Sequence, residues 1–169
     1  ADFWAEPLEM CLGEAPVTFH NESYGQIYLY EWDFGDGTTS NEFEPIHEYQ
    51  SGGDFSVSLK VKGPYGEDVK TMENYIHIYT PPISDFKANK TTVKINEKVV
   101  FTPLVEGTVT AYHWDFGDGT ESDEKSPQHA YKKEGKYTVS LYVSGPCGED
   151  EMVKKDYITV KKPEEEEEE

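Results

Sequence analysis

The sequence contains no arginine, and all fifteen basic side chains are lysines. It therefore lacks the planar guanidinium group that binds carboxylates and phosphates in a bidentate manner. The lysines are also few beside 34 acidic residues, and the formal net charge is −19. A surface of this sign repels the phosphate backbone, so we expect no nucleic-acid partner and a preference for cationic partners or divalent ions.

Long apolar runs and catalytic motifs are missing as well. No stretch of about 18 apolar residues occurs, so we expect no membrane insertion. The two cysteines, Cys11 and Cys147, form no CxxC or CxxCH motif, so redox catalysis and haem attachment have no support in the sequence. No nucleophile, base and orienting group occur at a recognisable spacing, so we expect the chain not to be an enzyme.

What the sequence does contain is an internal repeat. The hexapeptide W-D-F-G-D-G occurs at residues 32–37 and again, unchanged, at residues 114–119. The same offset relates Tyr49 to Tyr131. A repeat of about 80 residues is long enough to form a small independent core. We therefore predict two domains, one per repeat.

The domain boundary is predicted at Pro81-Pro82, a pair that cannot donate ladder hydrogen bonds and favours a stiff junction. The first domain then comprises residues 1–80, with 15 acidic residues and 3 lysines. The second comprises residues 81–163, with 13 acidic residues and 12 lysines. The six glutamates of residues 164–169 cannot bury apolar area, and we expect this tail to be disordered.

Alternating hydrophobic residues predict strands in both repeats. Residues 30–34 alternate aromatic with acidic side chains, and residues 55–61 alternate apolar with polar ones. Both patterns return at residues 112–116 and 137–143, while no segment shows a sustained helical period. Half-buried strands separated by Gly, Pro, Asn and Asp indicate two antiparallel β-sandwiches in an all-β protein.

The hexapeptide, the following P-x-H-x-Y segment and the closing Y-I segment resemble PKD domains over residues 1 to about 162. This resemblance implies an Ig-like sandwich and a role in adhesion, assembly or presentation, without chemistry of its own. The motif residues are Trp32, Asp33, Gly35, Asp36, Gly37, His47 and Tyr49, and in the second copy Trp114, Asp115, Gly117, Asp118, Gly119, His129 and Tyr131.

We interpret all of these motif residues as structural. Aspartates in a Gly-Asp-Gly turn bond the local backbone, while the glycines supply positive φ angles. An imidazole two residues before a tyrosine can tie a loop to the next strand. Tyr49 and Tyr131 resemble the tyrosine corner of sandwich folds.

Calcium is the only ion for which the sequence offers candidate ligands, and no other cofactor is expected. Some PKD-type modules bind calcium through an acidic segment between the second and third strands. The nearest candidates here are Asn21, Glu22 and Asp33, which are few oxygens for a six- to eight-coordinate ion. Asn21 and Asn89 each begin an N-glycosylation sequon and are candidate glycosylation sites.

The two cysteines lie at positions that differ between the repeats. In an Ig-like sandwich, the first connection of one domain and the last hairpin turn of the next meet at an end-to-end junction. We therefore predict an interdomain disulfide between Cys11 and Cys147, which would indicate an oxidising compartment. Two free thiols, or a bridge to another molecule, are the alternatives.

These features suggest a non-catalytic structural or interaction protein, extracellular or at the cell surface. It would serve as a stalk or spacer of a cell-surface, surface-layer or filament protein, binding other extracellular proteins or itself. The alternative is a module of a secreted enzyme that binds polysaccharide or protein fibres. Five tyrosines are candidates for glycan stacking: Tyr24, Tyr28, Tyr65, Tyr79 and Tyr142.

Overall fold

The computed structural model describes residues 1 to 163, so the prediction for the glutamate tail lies outside the described residues. Sixteen strands and no helix occur in the described part, which confirms the all-β prediction. Consequently, residues 1–163 contain no helix that is long and apolar enough to cross a bilayer. The chain divides into two compact units, Ala1–Thr80 and Pro81–Glu169.

The first unit is a sandwich of a three-stranded and a five-stranded sheet. The strand orders are β1-β3-β6 and β2-β8-β7-β4-β5, and all neighbours are antiparallel except β2 and β8. The strands are β1 (Phe3–Glu6), β2 (Glu9–Cys11), β3 (Val17–Asn21), β4 (Leu29–Asp33), β5 (Thr39–Ser40), β6 (Ile46–His47), β7 (Gly53–Gly63) and β8 (Gly66–Tyr79).

The second unit repeats this topology. Its sheet orders are β14-β11-β9 and β10-β16-β15-β12-β13, and β10 and β16 form the parallel pair. The strands are β9 (Phe86–Ala88), β10 (Thr92–Lys94), β11 (Lys98–Pro103), β12 (Ala111–Asp115), β13 (Glu121–Ser122), β14 (Gln128–Ala130), β15 (Gly135–Gly145) and β16 (Gly148–Lys161).

Each unit encloses its own aromatic core. In the first, the Trp32 ring contacts Phe3 edge-on at 5.1 Å between centroids and lies 5.5 Å from Phe19. In the second unit, Trp114 lies 5.2 Å from Phe86 and 5.6 Å from Phe101, the equivalent residues. The predicted inward faces are confirmed, since the alternating apolar residues of both β7 and β15 face these cores: Phe55, Val57, Leu59, Val61, Tyr137, Val139, Leu141 and Val143.

Each long hairpin contains a bulge, and the tyrosine that follows it connects the two sheets of the unit. The register of β7 against β8 shifts between Phe55 and Val57, and Asn74 opposite adopts a φ of 47°. The next residue, Tyr75, contacts the core, and its hydroxyl accepts a 3.1 Å hydrogen bond from the backbone N–H of Ala5. The second unit has the same arrangement at Asp156, Tyr157 and Ala88.

Candidate functional site

The repeated hexapeptide forms the turn that follows β4. The carboxylate of Asp33 accepts a 2.9 Å hydrogen bond from the N–H of Gly35, and Phe34 N–H donates to the carbonyl of Thr38 at 3.2 Å. Asp36 accepts from the N–H of Thr38 at 3.0 Å. Both carboxylates therefore hold the local backbone, as the turn interpretation predicts.

Glycine is required at Gly35 for two separate reasons. Its φ of 81° lies in the left-handed region. A Cβ atom there would also collide with the backbone carbonyl oxygen of Ser56 in β7. The close approach of the turn to β7 therefore excludes every side chain at this position, whereas Gly37, with a φ of 88°, has no atom within 4 Å of the Cβ position.

A cluster of five side chains packs around this turn, and we call it the loop cluster: Phe34, Asp36, Thr38, His47 and Tyr49. Nε2 of His47 lies 2.7 Å from Oδ2 of Asp36 and 3.3 Å from the Thr38 hydroxyl. The His47 ring stacks on Phe34. Both members of the His–Asp pair are mostly buried, with exposed side-chain fractions of 15% and 13%.

The hydrogen bonds of the loop cluster stabilise the charged form of Asp36. Burial alone would raise the pKa of this carboxyl, but the hydrogen bonds from Thr38 and His47 outweigh burial and lower the pKa below its usual value. Burial raises the pKa of the Tyr49 phenol, and the charges of Asp36 and Asp33 add to this effect. The phenol donates a 3.0 Å hydrogen bond to the carbonyl of Phe34.

The second unit reproduces the loop cluster closely. Nε2 of His129 lies 2.7 Å from Asp118, and the His129 ring stacks on Phe116 at 4.2 Å. Tyr131 donates to the carbonyl of Phe116 at 2.9 Å, and Asp115 accepts from the N–H of Gly117 at 2.8 Å. The motif tryptophans of the two units make the same hydrogen bond. The Trp32 indole donates to the backbone carbonyl of Glu42 and the Trp114 indole to that of Glu124, each at 2.9 Å.

The sequence reasoning missed two members of each loop cluster. Thr38 and Thr120 bond both the aspartate and the histidine, and Phe34 and Phe116 carry the stacked imidazole. Their recurrence at the repeat offset was the available signal. With these partners included, each polar side chain of the cluster makes a hydrogen bond at the turn. The geometry is therefore typical of a cluster that stabilises a turn, and not of a reactive site.

The calcium candidates lie apart. Asn21 ends β3 in one sheet, whereas Asp33 ends β4 in the other. Glu22 accepts a hydrogen bond from the Trp4 indole at 3.2 Å. Among residues 1–163, no group of three or more His, Cys, Asp or Glu side chains is placed to hold a metal ion.

The two sequons differ in accessibility. Asn21 is buried, with 8% of its surface exposed. Its amide nitrogen donates to the carbonyl of Phe43, and its amide oxygen accepts from the N–H of Ser23. This placement argues against glycosylation of Asn21 in the folded chain. Asn89 is exposed, and its glycosylation stays a prediction.

Both cysteines are disulfide-bonded, and no free thiol occurs among the described residues. The alternative of two free thiols is therefore not what the structure contains. The pairing of Cys11 with Cys147 stays a prediction for chemical mapping.

Three of the five candidate tyrosines are strongly exposed. Tyr24, Tyr65 and Tyr28 have exposed fractions of 93%, 95% and 70%. Tyr24 and Tyr65 line the same open cleft of about 570 Å³ in the first unit. Tyr79 and Tyr142 are half-buried, and the phenol of Tyr142 bonds Glu149. The first unit therefore presents three accessible tyrosine rings, two of them in one cleft.

Known proteins with similar sequences are found among bacterial proteases. Collagenase ColA of Bacillus cereus is 38% identical over 144 residues, which are 80% of this chain and 15% of that protein. Microbial collagenase of Vibrio alginolyticus is 44% identical over 59 residues, 32% of this chain and 7% of that protein. The chain thus corresponds to a small part of each relative.

Solved structures and family models agree on the fold. The full ectodomain (Ig1–Ig3) of mouse nectin-like molecule 4 superposes with a TM-score of 0.67 at 11% identity, covering 99% of this chain and 66% of that one. At this identity the likeness concerns the Ig-like fold alone. Two consecutive segments, residues 7–78 and 79–160, match the family model for the PKD domain. The chain belongs to the PKD domain family.

Proposed function

We propose that this chain is a non-catalytic segment of a longer extracellular protein, in which two PKD domains, residues 1–80 and 81–163, space and present neighbouring domains. The two separate aromatic cores support independent folding of each domain. The engagement of the motif carboxylates in local hydrogen bonds supports a role without chemistry.

One observation carries this proposal: 80% of the chain aligns with only 15% of Bacillus cereus collagenase ColA. A segment of this kind is a minor part of its relative, as expected of an accessory region. The extracellular location is supported by the disulfide-bonded cysteines, because such bonds persist in oxidising compartments.

The proposal is tested by attaching the chain to a bacterial collagenase catalytic domain. We compare fusions that carry no copy, one copy and two copies of the chain. A spacer leaves the hydrolysis of a short soluble peptide unchanged and alters the release of fragments from insoluble collagen in proportion to copy number. Peptide hydrolysis by the chain alone, or the same change in both assays, would contradict a non-catalytic spacer.

Fibre binding is the second candidate, and the similarity to proteins named collagenases favours it. The exposed rings of Tyr24 and Tyr65 are suitable for stacking on a ligand. Co-sedimentation with insoluble collagen, chitin and cellulose tests this candidate. Binding that is lost in Tyr24→Ala and Tyr65→Ala supports it, whereas recovery of all the protein in the supernatant of each fibre removes it.

A further inference from the structure

The outer face of the three-stranded sheet in the first unit carries an exposed aromatic pair. Trp4 of β1 lies directly opposite His20 of β3, and their rings stack at 3.9 Å with planes 19° apart. Trp4 is 41% exposed, and Ile46 of β6, on the same face, is 65% exposed. We call this surface the Trp4 face; it comprises Trp4, His20 and Ile46 with Glu6, Glu22 and Glu44.

Three carboxylates surround the aromatic pair. Glu22 accepts a hydrogen bond from the Trp4 indole, while Glu6 and Glu44 lie 3.6 and 3.9 Å from the two nitrogens of His20. No lysine forms an ion pair with these glutamates within the described residues. The Trp4 face thus combines exposed apolar side chains with a rim of carboxylates, and no lysine of the first unit pairs with these carboxylates among the described residues.

The second unit lacks this combination although its backbone is the same. The pair opposite each other there, in the register of Trp4 and His20, is Lys87 and Thr102. The position of Ile46 is taken by Gln128. The repeated fold therefore does not require Trp4 or its acidic rim, which distinguishes this face from the loop cluster present in both units.

We propose that the Trp4 face is a docking surface for an extended polypeptide segment that carries arginine or lysine side chains. A cation over the indole is attracted by the ring quadrupole, and the surrounding carboxylates can pair with the same cation. Ile46 lies across β3 from Trp4 and offers apolar area to the aliphatic stem of a neighbouring basic residue of the same segment. The first domain also carries 15 acidic residues against 3 lysines, which steers a basic partner toward it.

The test is a titration of the full chain with an extended arginine–glycine repeat peptide, followed by NMR of the tryptophan indoles. Trp4 is the solvent-exposed indole, whereas Trp32 and Trp114 are buried and serve as internal references. We expect the Trp4 indole and the amides of β1, β3 and β6 to shift. The citrulline–glycine analogue, which is nearly isosteric and neutral, should leave them in place.

Substitutions identify which groups bind. Trp4→Ala should weaken binding about fivefold or more, because the cation–π contact is lost. Unchanged Trp32 and Trp114 indole resonances show that this variant is folded. The triple variant Glu6→Gln, Glu22→Gln, Glu44→Gln should weaken binding at least as much. The control triple Glu106→Gln, Glu124→Gln, Glu151→Gln changes the net charge equally but lies at exposed positions of the second unit.

Three results would overturn the proposal. Equal losses in the two triple variants would mean that net charge alone attracts the peptide. Shifts centred on Tyr24 and Tyr65, or on β9 and β11, would place the peptide on another surface. Sedimentation velocity showing a salt-sensitive dimer that Trp4→Ala abolishes would assign the face to a second copy of this chain instead of a basic partner.

Discussion

The imidazole of His47 lies flat on the ring of Phe34, with centroids 4.1 Å apart and planes 6° from parallel. The edge of the same imidazole reaches Asp36 at 2.7 Å. A single side chain therefore fixes an apolar contact beneath the turn and a charged contact at its rim. Because His129 does the same in the second unit, each effect predicted for one unit has a matched test in the other.

Acid is expected to destabilise both units through Asp36 and Asp118, whose carboxylates are mostly buried. Hydrogen bonds hold the pKa of Asp36 and of Asp118 in the folded protein below the ordinary value of 3.8. The folded state therefore binds fewer protons than the unfolded state, and the resulting stabilisation is complete above pH 3.8 and decreases as the pH falls below it.

Urea unfolding between about pH 5 and about pH 2 measures this dependence. We expect the double variant Asp36→Asn, Asp118→Asn to be less stable than the original chain at the upper end of this range. The two should converge at the lower end. Glu48→Gln, at an exposed position, should follow the original curve. An equal pH dependence with and without the two aspartates would contradict this account.

Tyr49→Phe is expected to destabilise the first unit by about 1 to 3 kcal/mol, because the buried carbonyl of Phe34 loses its donor. Tyr131→Phe should have a similar effect on the second unit. Tyr65→Phe is the control, since Tyr65 is 95% exposed and a change at such a surface position should stay within about 0.5 kcal/mol. Denaturant midpoints measure all three, and equal effects at Tyr49 and Tyr65 would contradict the prediction.

Gly35→Ala and Gly37→Ala separate steric collision from backbone strain. Both glycines have positive φ, which costs a non-glycine residue about 1 to 2 kcal/mol. Only at Gly35 does a Cβ atom also meet the backbone of Ser56, so we expect a loss of about 3 kcal/mol or more. Thermal or urea unfolding distinguishes the two variants. The pair Gly117→Ala and Gly119→Ala repeats the comparison in the second unit. Similar losses of stability within a pair would contradict the steric argument.

Peptide mapping under non-reducing conditions tests the disulfide. After alkylation and cleavage at lysine, we expect no alkylated cysteine and one linked pair of peptides that contains Cys11 and Cys147 and separates on reduction. Because each unit has its own core, reduction should leave both units folded, as circular dichroism would show. A linkage of either cysteine to a different chain would refute the predicted pairing.

The sequence predicted those features of the fold that depend on local patterns. Alternation identified the inward faces of β7 and β15, and turn chemistry identified the roles of Asp33 and Gly35. The stack of Trp4 on His20 was not predicted, because it depends on the register between β1 and β3. Neither residue recurs in the second repeat, so the internal comparison gave no signal.

The sequon at Asn21 shows that a local sequence pattern does not determine whether its side chain is accessible. The tripeptide is a local pattern, but the accessibility of its amide is set by the contact with Phe43, which is distant in sequence. The candidate calcium ligands Asn21 and Asp33 likewise end β3 and β4, which the topology assigns to opposite sheets. Ligand sets that span two sheets cannot be read from sequence spacing alone.

The hydroxyl of Tyr75 also affects whether a strand of another molecule can pair with the sheet edge of the first unit. β1 is an edge strand, and the outward N–H of Ala5 is the group that an added strand would need for pairing. That N–H is already bonded to Tyr75, and Tyr157 occupies the equivalent N–H of Ala88 in β9. Each unit thus caps one of its own sheet edges, which protects a chain rich in strands from edge-to-edge aggregation.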